Sequence, residues 1–167
     1  MKTRLAALIL AVALHAPASA AEPVTYDGGE EPGTIVVDTR ARNLLLVTAP
    51  GEALSYDVAV GRPSEQWTGV VYVGRKSEWP SWSPTPSMRR HDPKLPATMP
   101  GGPGNPLGAR ALYLFAEGGS DTSYRIHGTN SPKSIGREAS SGCIRMRNED
   151  VEDLYDRVAN GALVVVQ

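Results

Sequence analysis

The chain has 167 residues, a formal net charge of −1 and a single cysteine. That length is a prior for one domain, and 17 Lys and Arg against 18 Asp and Glu exclude the basic surface that nucleic-acid binding requires. One cysteine excludes an internal disulfide, and His91, His127 and Cys143 lack the close spacing of metal ligands, so a metal site is not expected.

Residues 1–20 read as an export signal. Met1 to Arg4 is a short basic region, Leu5 to Leu14 is apolar, and Ala18-Ser19-Ala20 is a small-x-small cleavage site. The apolar run is too short for a helix across a hydrocarbon core of roughly 30 Å. The expected product is exported to the periplasm or cell envelope, spans no membrane and is a monomer. Residues 21–33 are polar with Gly and Pro and no periodicity, which suggests a mobile tail before a domain at 34–167.

Strand character begins at Thr34. Residues 34–39 (TIVVDT) and 43–48 (NLLLVT) flank a polar turn and predict a hairpin. Residues 54–60 (LSYDVAV) alternate apolar and polar side chains, and 70–73 (VVYV) form a further short strand. Between Trp79 and Gly108 lie eight prolines, which rule out a regular sheet or a long helix. The same segment carries Trp79, Trp82, Met88, Leu95, Met99 and Leu107, which suits a packed lid better than a linker.

Residues 111–116 (ALYLFA) and 123–127 (SYRIH) return to strand. Alternation puts Tyr124 and Ile126 on one face and Arg125 and His127 on the other. After Cys143, Asn148 reads as an N-cap, Glu149 and Asp150 suit a helix N-terminus, and Val151, Leu154, Tyr155 and Val158 share one helix face. Gly161 is the stop, and residues 163–166 (LVVV) form a last buried strand. The expected fold is mainly β, with mixed sheets, one amphipathic helix after the cysteine and a long lid.

The chemistry concentrates in residues 124–150. Cys143 follows Ser140, Ser141 and Gly142, a polar and small context that suits a reactive thiol better than a core one. His127 stands at a strand end, and the fifteen residues 128–142, rich in Gly and Ser, can fold it back onto Cys143. A nucleophile beside a base fits acyl transfer, with Gly142 letting backbone N–H groups approach an oxyanion.

These residues resemble a known family. HGT at 127–129, IGREASSGCIRM at 135–146, the acidic helix that follows and PGGPGNPLG at 100–108 are similar to the L,D-transpeptidase catalytic domain of the YkuD type. The resemblance runs from about Thr34 to the C-terminus and implies a β-sandwich-like fold acting on peptidoglycan stem peptides without a cofactor. It implies Cys143 as the nucleophile, His127 as proton donor and acceptor, and an oxyanion hole at Gly142 and the Cys143 backbone, supported by Ser141 and Ser140. It implies substrate binding by Arg145, Gly128 and Thr129; an ion pair with the domain's own acids is the alternative for Arg145. The implied reaction forms an acyl-enzyme at the diaminopimelate–D-alanine bond and passes the acyl group to an amine. With water as acceptor the site is an L,D-carboxypeptidase, and a non-catalytic peptidoglycan-binding module is the remaining alternative. The chain departs from the family pattern at Ser141, where a histidine is usual, and at Thr68-Gly69, where a Thr-Pro-x-Gly segment is usual.

Overall fold

The computed structural model describes residues 21–167, so the leader expected over 1–20 lies outside the described residues. Its elements in chain order are β1 (Glu22–Thr25), β2 (Ile35–Asp38), β3 (Asn43–Ala49), β4 (Glu52–Asp57), β5 (Val60–Gly61) and β6 (Gly69–Glu78). There follow α1 (Pro86–His91), β7 (Arg110–Phe115), β8 (Asp121–His127), β9 (Glu138–Ser140), β10 (Ile144–Arg145), α2 (Asn148–Arg157) and β11 (Leu163–Val166).

Nine strands form one mixed sheet in the order β1-β4-β3-β2-β11-β6-β7-β8-β10, and β5 pairs with β9 in a separate parallel ribbon. Side chains two apart share a face, and that alternation builds the core. Ile35 and Val37, Leu44 and Leu46, Leu112 and Leu114, and Val164 and Val166 are all buried in one cluster. Val151, Leu154 and Val158 from α2 join the same cluster. Tyr56 of β4 donates to Asp153 of α2 at 2.7 Å, while α2 also packs on β7, which four strands separate from β4 in the sheet. Ala59, just after β4, bridges Arg145 in β10 through two backbone hydrogen bonds of 2.8 and 2.9 Å. The sheet therefore bends until its two sides meet near β10, where His127 and Cys143 lie.

The mainly β expectation holds, and four local readings change. The expected tail contributes β1, whose backbone pairs with the edge of β4 from Glu22↔Ser55 to Thr25↔Glu52. A free sheet edge offers unpaired N–H and C=O groups, so even a polar segment with a proline can add to it. Strand β6 runs on through Gly74 to Glu78, because its polar half pairs with β7 and its long side chains cover aromatic rings. Arg75 lies 3.5 Å from the Tyr113 ring centroid and Lys76 4.1 Å from that of Tyr155. The lid contains the short helix α1, with Pro86 in its first turn and Thr85 Oγ1 accepting from Met88 N–H at 3.2 Å.

Asn148 does not cap α2. Its Oδ1 instead accepts from Ala109 N–H at 3.0 Å and Thr129 N–H at 3.1 Å, tying the end of the lid to the loop after β8. At the other end of α2, Lys76 Nζ reaches the carbonyls of Tyr155 and Val158, placing a cation where the helix dipole is negative.

Candidate active site

Strands β8 and β10 run parallel, with Ile144 opposite Ile126 and Arg145 opposite His127. Ile126 and Ile144 are buried on the core side. The intervening residues Arg125, His127, Cys143 and Arg145 project from the other face, and all four line one cavity of about 420 Å³. The pairing of two strand ends thus brings together a thiol and an imidazole separated by fifteen residues of chain.

The backbone of His127 is fixed on both sides. Its carbonyl accepts from Met146 N–H at 2.8 Å, and Ala111 stands opposite it in β7. The ring is 4 % exposed, and Nδ1 lies 2.6 Å from the Gly128 carbonyl. A carbonyl only accepts, so Nδ1 carries the proton and Nε2 keeps a lone pair. Burial lowers the pKa to about 4 against the raising effect of the Gly128 carbonyl, and the positive charges of Arg145 and Arg125 push the same way as burial. Burial likewise pushes the Cys143 thiol up, opposed by Arg125 and Arg145. The resting pair is therefore a neutral thiol and a neutral imidazole, not a preformed thiolate and imidazolium.

The turn before Cys143 is held by residues of both kinds, expected and unexpected. Ser140 Oγ donates to the Cys143 carbonyl at 2.5 Å and accepts from Gly142 N–H at 3.1 Å. Gly142 has φ 101°, and a Cβ there would come within 2.5 Å of the Tyr124 ring. Trp67 stacks on Tyr124 at 4.4 Å, nearly parallel, and its indole N–H donates to the Gly142 carbonyl at 2.8 Å. Neither Trp67 nor Tyr124 is among the expected site residues. The signal for Tyr124 was its place on the face of Ile126, while Trp67 belongs to no motif.

Several expected roles shift. The Gly142 N–H is committed to Ser140, whereas the Cys143 N–H has no partner among the described residues. Ser141 lines the cavity and accepts from Arg62 Nη2 at 3.0 Å. Gly128 and Thr129, expected to bind substrate, are not among the residues that line this cavity. They pack behind the site, where a Cβ on Gly128 would stand 2.3 Å from Asn148 Oδ1 and where Thr129 is 4 % exposed. Arg145 is half-buried and forms no ion pair among the described residues, so the internal salt bridge considered for it does not form.

The opposite wall is the lid, which contributes Trp82, Met88 and Leu107 among others. It is not a loose loop. Trp82 and Met99 exchange backbone hydrogen bonds of 2.9 and 2.7 Å. Asn105 is 1 % exposed, donates to the carbonyls of Pro80, Met99 and Pro100, and accepts from Leu107 N–H. One asparagine thus satisfies carbonyls that the neighbouring prolines, lacking N–H groups, leave over.

The sequence profile of the YkuD L,D-transpeptidase catalytic domain matches residues 32–166. A putative L,D-transpeptidase, YkuD, from Bacillus subtilis is 33% identical over 158 residues, covering 92% of this chain and 79% of that protein. The probable L,D-transpeptidase ErfK/SrfK of Escherichia coli is 45% identical over 101 residues, 58% of this chain and 31% of that protein. The chain thus spans about a third of the first curated relatives it matches. A crystal structure from Brucella melitensis, named for a probable carnitine operon oxidoreductase, is 48% identical with TM-score 0.61 and covers 92% of this chain and 96% of that one. The Enterococcus faecium L,D-transpeptidase C442S mutant shares the fold at 21% identity and TM-score 0.62, covering 82% of this chain and 50% of that one. The profile match over nearly all the described residues places this chain in the YkuD L,D-transpeptidase catalytic domain family.

Proposed function

We propose that the chain is a cysteine L,D-transpeptidase acting on peptidoglycan stem peptides. The observation that carries the reading is the strand pairing that sets His127 and Cys143 on one face of β8 and β10, at the wall of a cavity large enough for a peptide. Cys143 Sγ attacks the carbonyl carbon of the diaminopimelate–D-alanine bond while its proton passes to His127 Nε2. The Cys143 N–H receives the developing oxyanion; one such donor is worth roughly 3–4 kcal/mol of barrier. The C–N bond then breaks, and the proton on Nε2 goes to the departing D-alanine amine. An acceptor amine attacks the thioester, gives its proton to Nε2, and Cys143 leaves and is reprotonated.

Two neutral partners suit this cycle. An imidazole whose protonated form is destabilised by burial remains a free base at envelope pH, and the thiolate exists only while substrate is bound. Arg125 and Arg145 line the cavity; Arg125 is paired with Asp121 at 2.7 Å, while Arg145 has no ion-pair partner among the described residues, which supports an anionic peptide as the ligand. A periplasmic or envelope location agrees with the leader-like residues 1–20 and with the substrate. Among the described residues no helix is long and apolar enough to cross a membrane.

The reading is tested by adding a carbapenem to the purified chain and measuring its intact mass. A stoichiometric adduct that maps to Cys143 and disappears in Cys143→Ala is expected. No adduct, or one that persists in Cys143→Ala, contradicts it.

A further inference from the structure

A second cavity, of about 760 Å³, adjoins the one that holds Cys143, and Thr85, Met88, Ser141 and Arg145 line both. Its other wall includes Arg62, with the carboxylates of Glu65 and Asp92 also on the lining. Arg62 is anchored to the nucleophile's own turn at two points. Its backbone N–H donates to the Ser140 carbonyl at 3.0 Å, and its Nη2 donates to Ser141 Oγ at 3.0 Å. The Arg145 side chain stands near enough to feel both Arg62 and the Cys143 thiol, the first repelling its charge and the second favouring it.

This arrangement of like charges is costly by itself. Two guanidinium groups face one region, Arg145 is half-buried with no carboxylate partner among the described residues, and Arg62 has only a loose, exposed contact to Glu65 at 3.8 Å. Like charges repel, and a partly buried cation without an anion loses hydration that nothing returns. A carboxylate placed between them would reverse both effects, because a guanidinium holds a carboxylate through paired N–H donors. The hydroxyl of Ser141 lies at the same place and accepts a hydrogen bond from Arg62, which fixes the direction in which that guanidinium presents its remaining donors.

We infer that Arg62 and Arg145, on either side of Ser141, form a two-arginine subsite that holds a free carboxylate of a stem peptide beside Cys143. The inference rests on the transpeptidase reading and adds Arg62 as a specificity-determining residue. The carboxylate belongs either to the donor stem, held while Cys143 attacks, or to the acceptor stem, held while the thioester is opened. The subsite has the same chemistry in both cases.

The test compares Arg62→Gln, Arg62→Lys and the unaltered chain on two donor tetrapeptides, one with its side-chain carboxyls free and one with them amidated, and on the same pair of acceptors. D-Alanine release reads the donor step, and the ratio of crosslinked to hydrolysed product reads the acceptor step. Arg62 is exposed, so the variants keep the fold, which a thermal melt verifies. In one of the two steps, Arg62→Gln should raise KM for the free-carboxyl peptide about tenfold, as expected for one lost charge-assisted contact, and leave the amidated peptide little changed. Arg62→Lys, which keeps the charge without the paired donors, should fall between. The step that changes identifies the source of the carboxylate. Equal effects on free and amidated peptides in both steps, or none, overturn the subsite while leaving D-alanine release intact. Absence of release by the unaltered chain overturns the reading beneath it and the subsite with it.

Discussion

The two walls of the site are built on different principles. The floor is strand: His127 and Cys143 take their positions from the β8–β10 register, and each lies within two residues of a buried isoleucine of the core. The lid is loop: residues 79–108 are held by a short bridge at Trp82 and Met99 and by the side chain of Asn105. A wall made of sheet is positioned by many backbone bonds and core contacts and shifts little when one is lost. A wall made of loop depends on a few side chains and can move with its ligand. The floor should therefore control the chemical step and the lid the affinity.

The largest effect that would break this division is at His127. His127→Gln, which keeps a polar side chain at a buried position, should lower the rate of Cys143 acylation by about a hundred- to ten-thousandfold, the span typical of a general base. KM should change little. A variant with normal kcat and a raised KM would move His127 from the chemistry to binding.

Next is Gly142→Ala. The residue has φ 101° and its Cβ would meet the Tyr124 ring at 2.5 Å. The substitution should cost about 1–3 kcal/mol of stability and displace the Cys143 N–H, so kcat falls even where the protein stays folded. Unchanged stability in a thermal or urea melt would show that the turn is softer than its contacts imply. The lid counterpart is Asn105→Ala, which leaves the carbonyls of Pro80 and Pro100 without their donor and Met99 with the Trp82 N–H alone. It should raise KM for a stem peptide and leave the reaction of Cys143 with a small thiol reagent unaltered. If the thiol's reactivity falls as well, floor and lid are not separable.

Much of the floor could be read in the sequence, and little of the lid's internal order. Period-two alternation put His127 opposite Ile126 because a strand has only two faces. The polar context of Cys143 pointed to a thiol outside the core for the same reason. Trp67 was not legible, because its donor bond joins it to Gly142 across 75 residues and no local pattern encodes that pairing. Asn148 has the residue type and place of an N-cap, yet its oxygen is taken by the N–H groups of Ala109 and Thr129. Local propensity yields where tertiary contact offers two donors in place of one. The prolines of the lid announced an irregular segment, and its large apolar residues announced packing. Asn105, which holds that segment together, is an ordinary polar residue until three carbonyls converge on it.

The last effects concern pH and compare two buried groups, His127 on the floor and Asp150 in α2. His127 has a folded pKa near 4 against 6.5 in the unfolded chain. Its folded pKa is depressed, so its contribution is fully present above 6.5 and is lost as pH falls towards 4, by up to about 3 kcal/mol. Asp150 is fully buried, leaves Oδ1 unpartnered and has its pKa raised, mainly by burial, to about 6. Its sign is opposite: the fold favours the protonated form, and stability falls as pH rises from 3.8 to 6. Between 4 and 6 the two slopes oppose each other. Asp150→Asn should therefore steepen the loss of stability on acidification and raise stability above pH 6, measured by urea melts across that range. A flat profile in Asp150→Asn would mean that His127 is not held neutral.

The central claim is that Cys143, with His127 as its base, takes the acyl group of a stem tetrapeptide. Its most direct test is mass spectrometry of the chain mixed with such a donor, quenched in acid, with D-alanine measured in the same sample. The account predicts D-alanine release together with a thioester adduct on the Cys143 peptide, both lost in Cys143→Ala. D-alanine release that persists in Cys143→Ala, or an adduct on another residue, would contradict it.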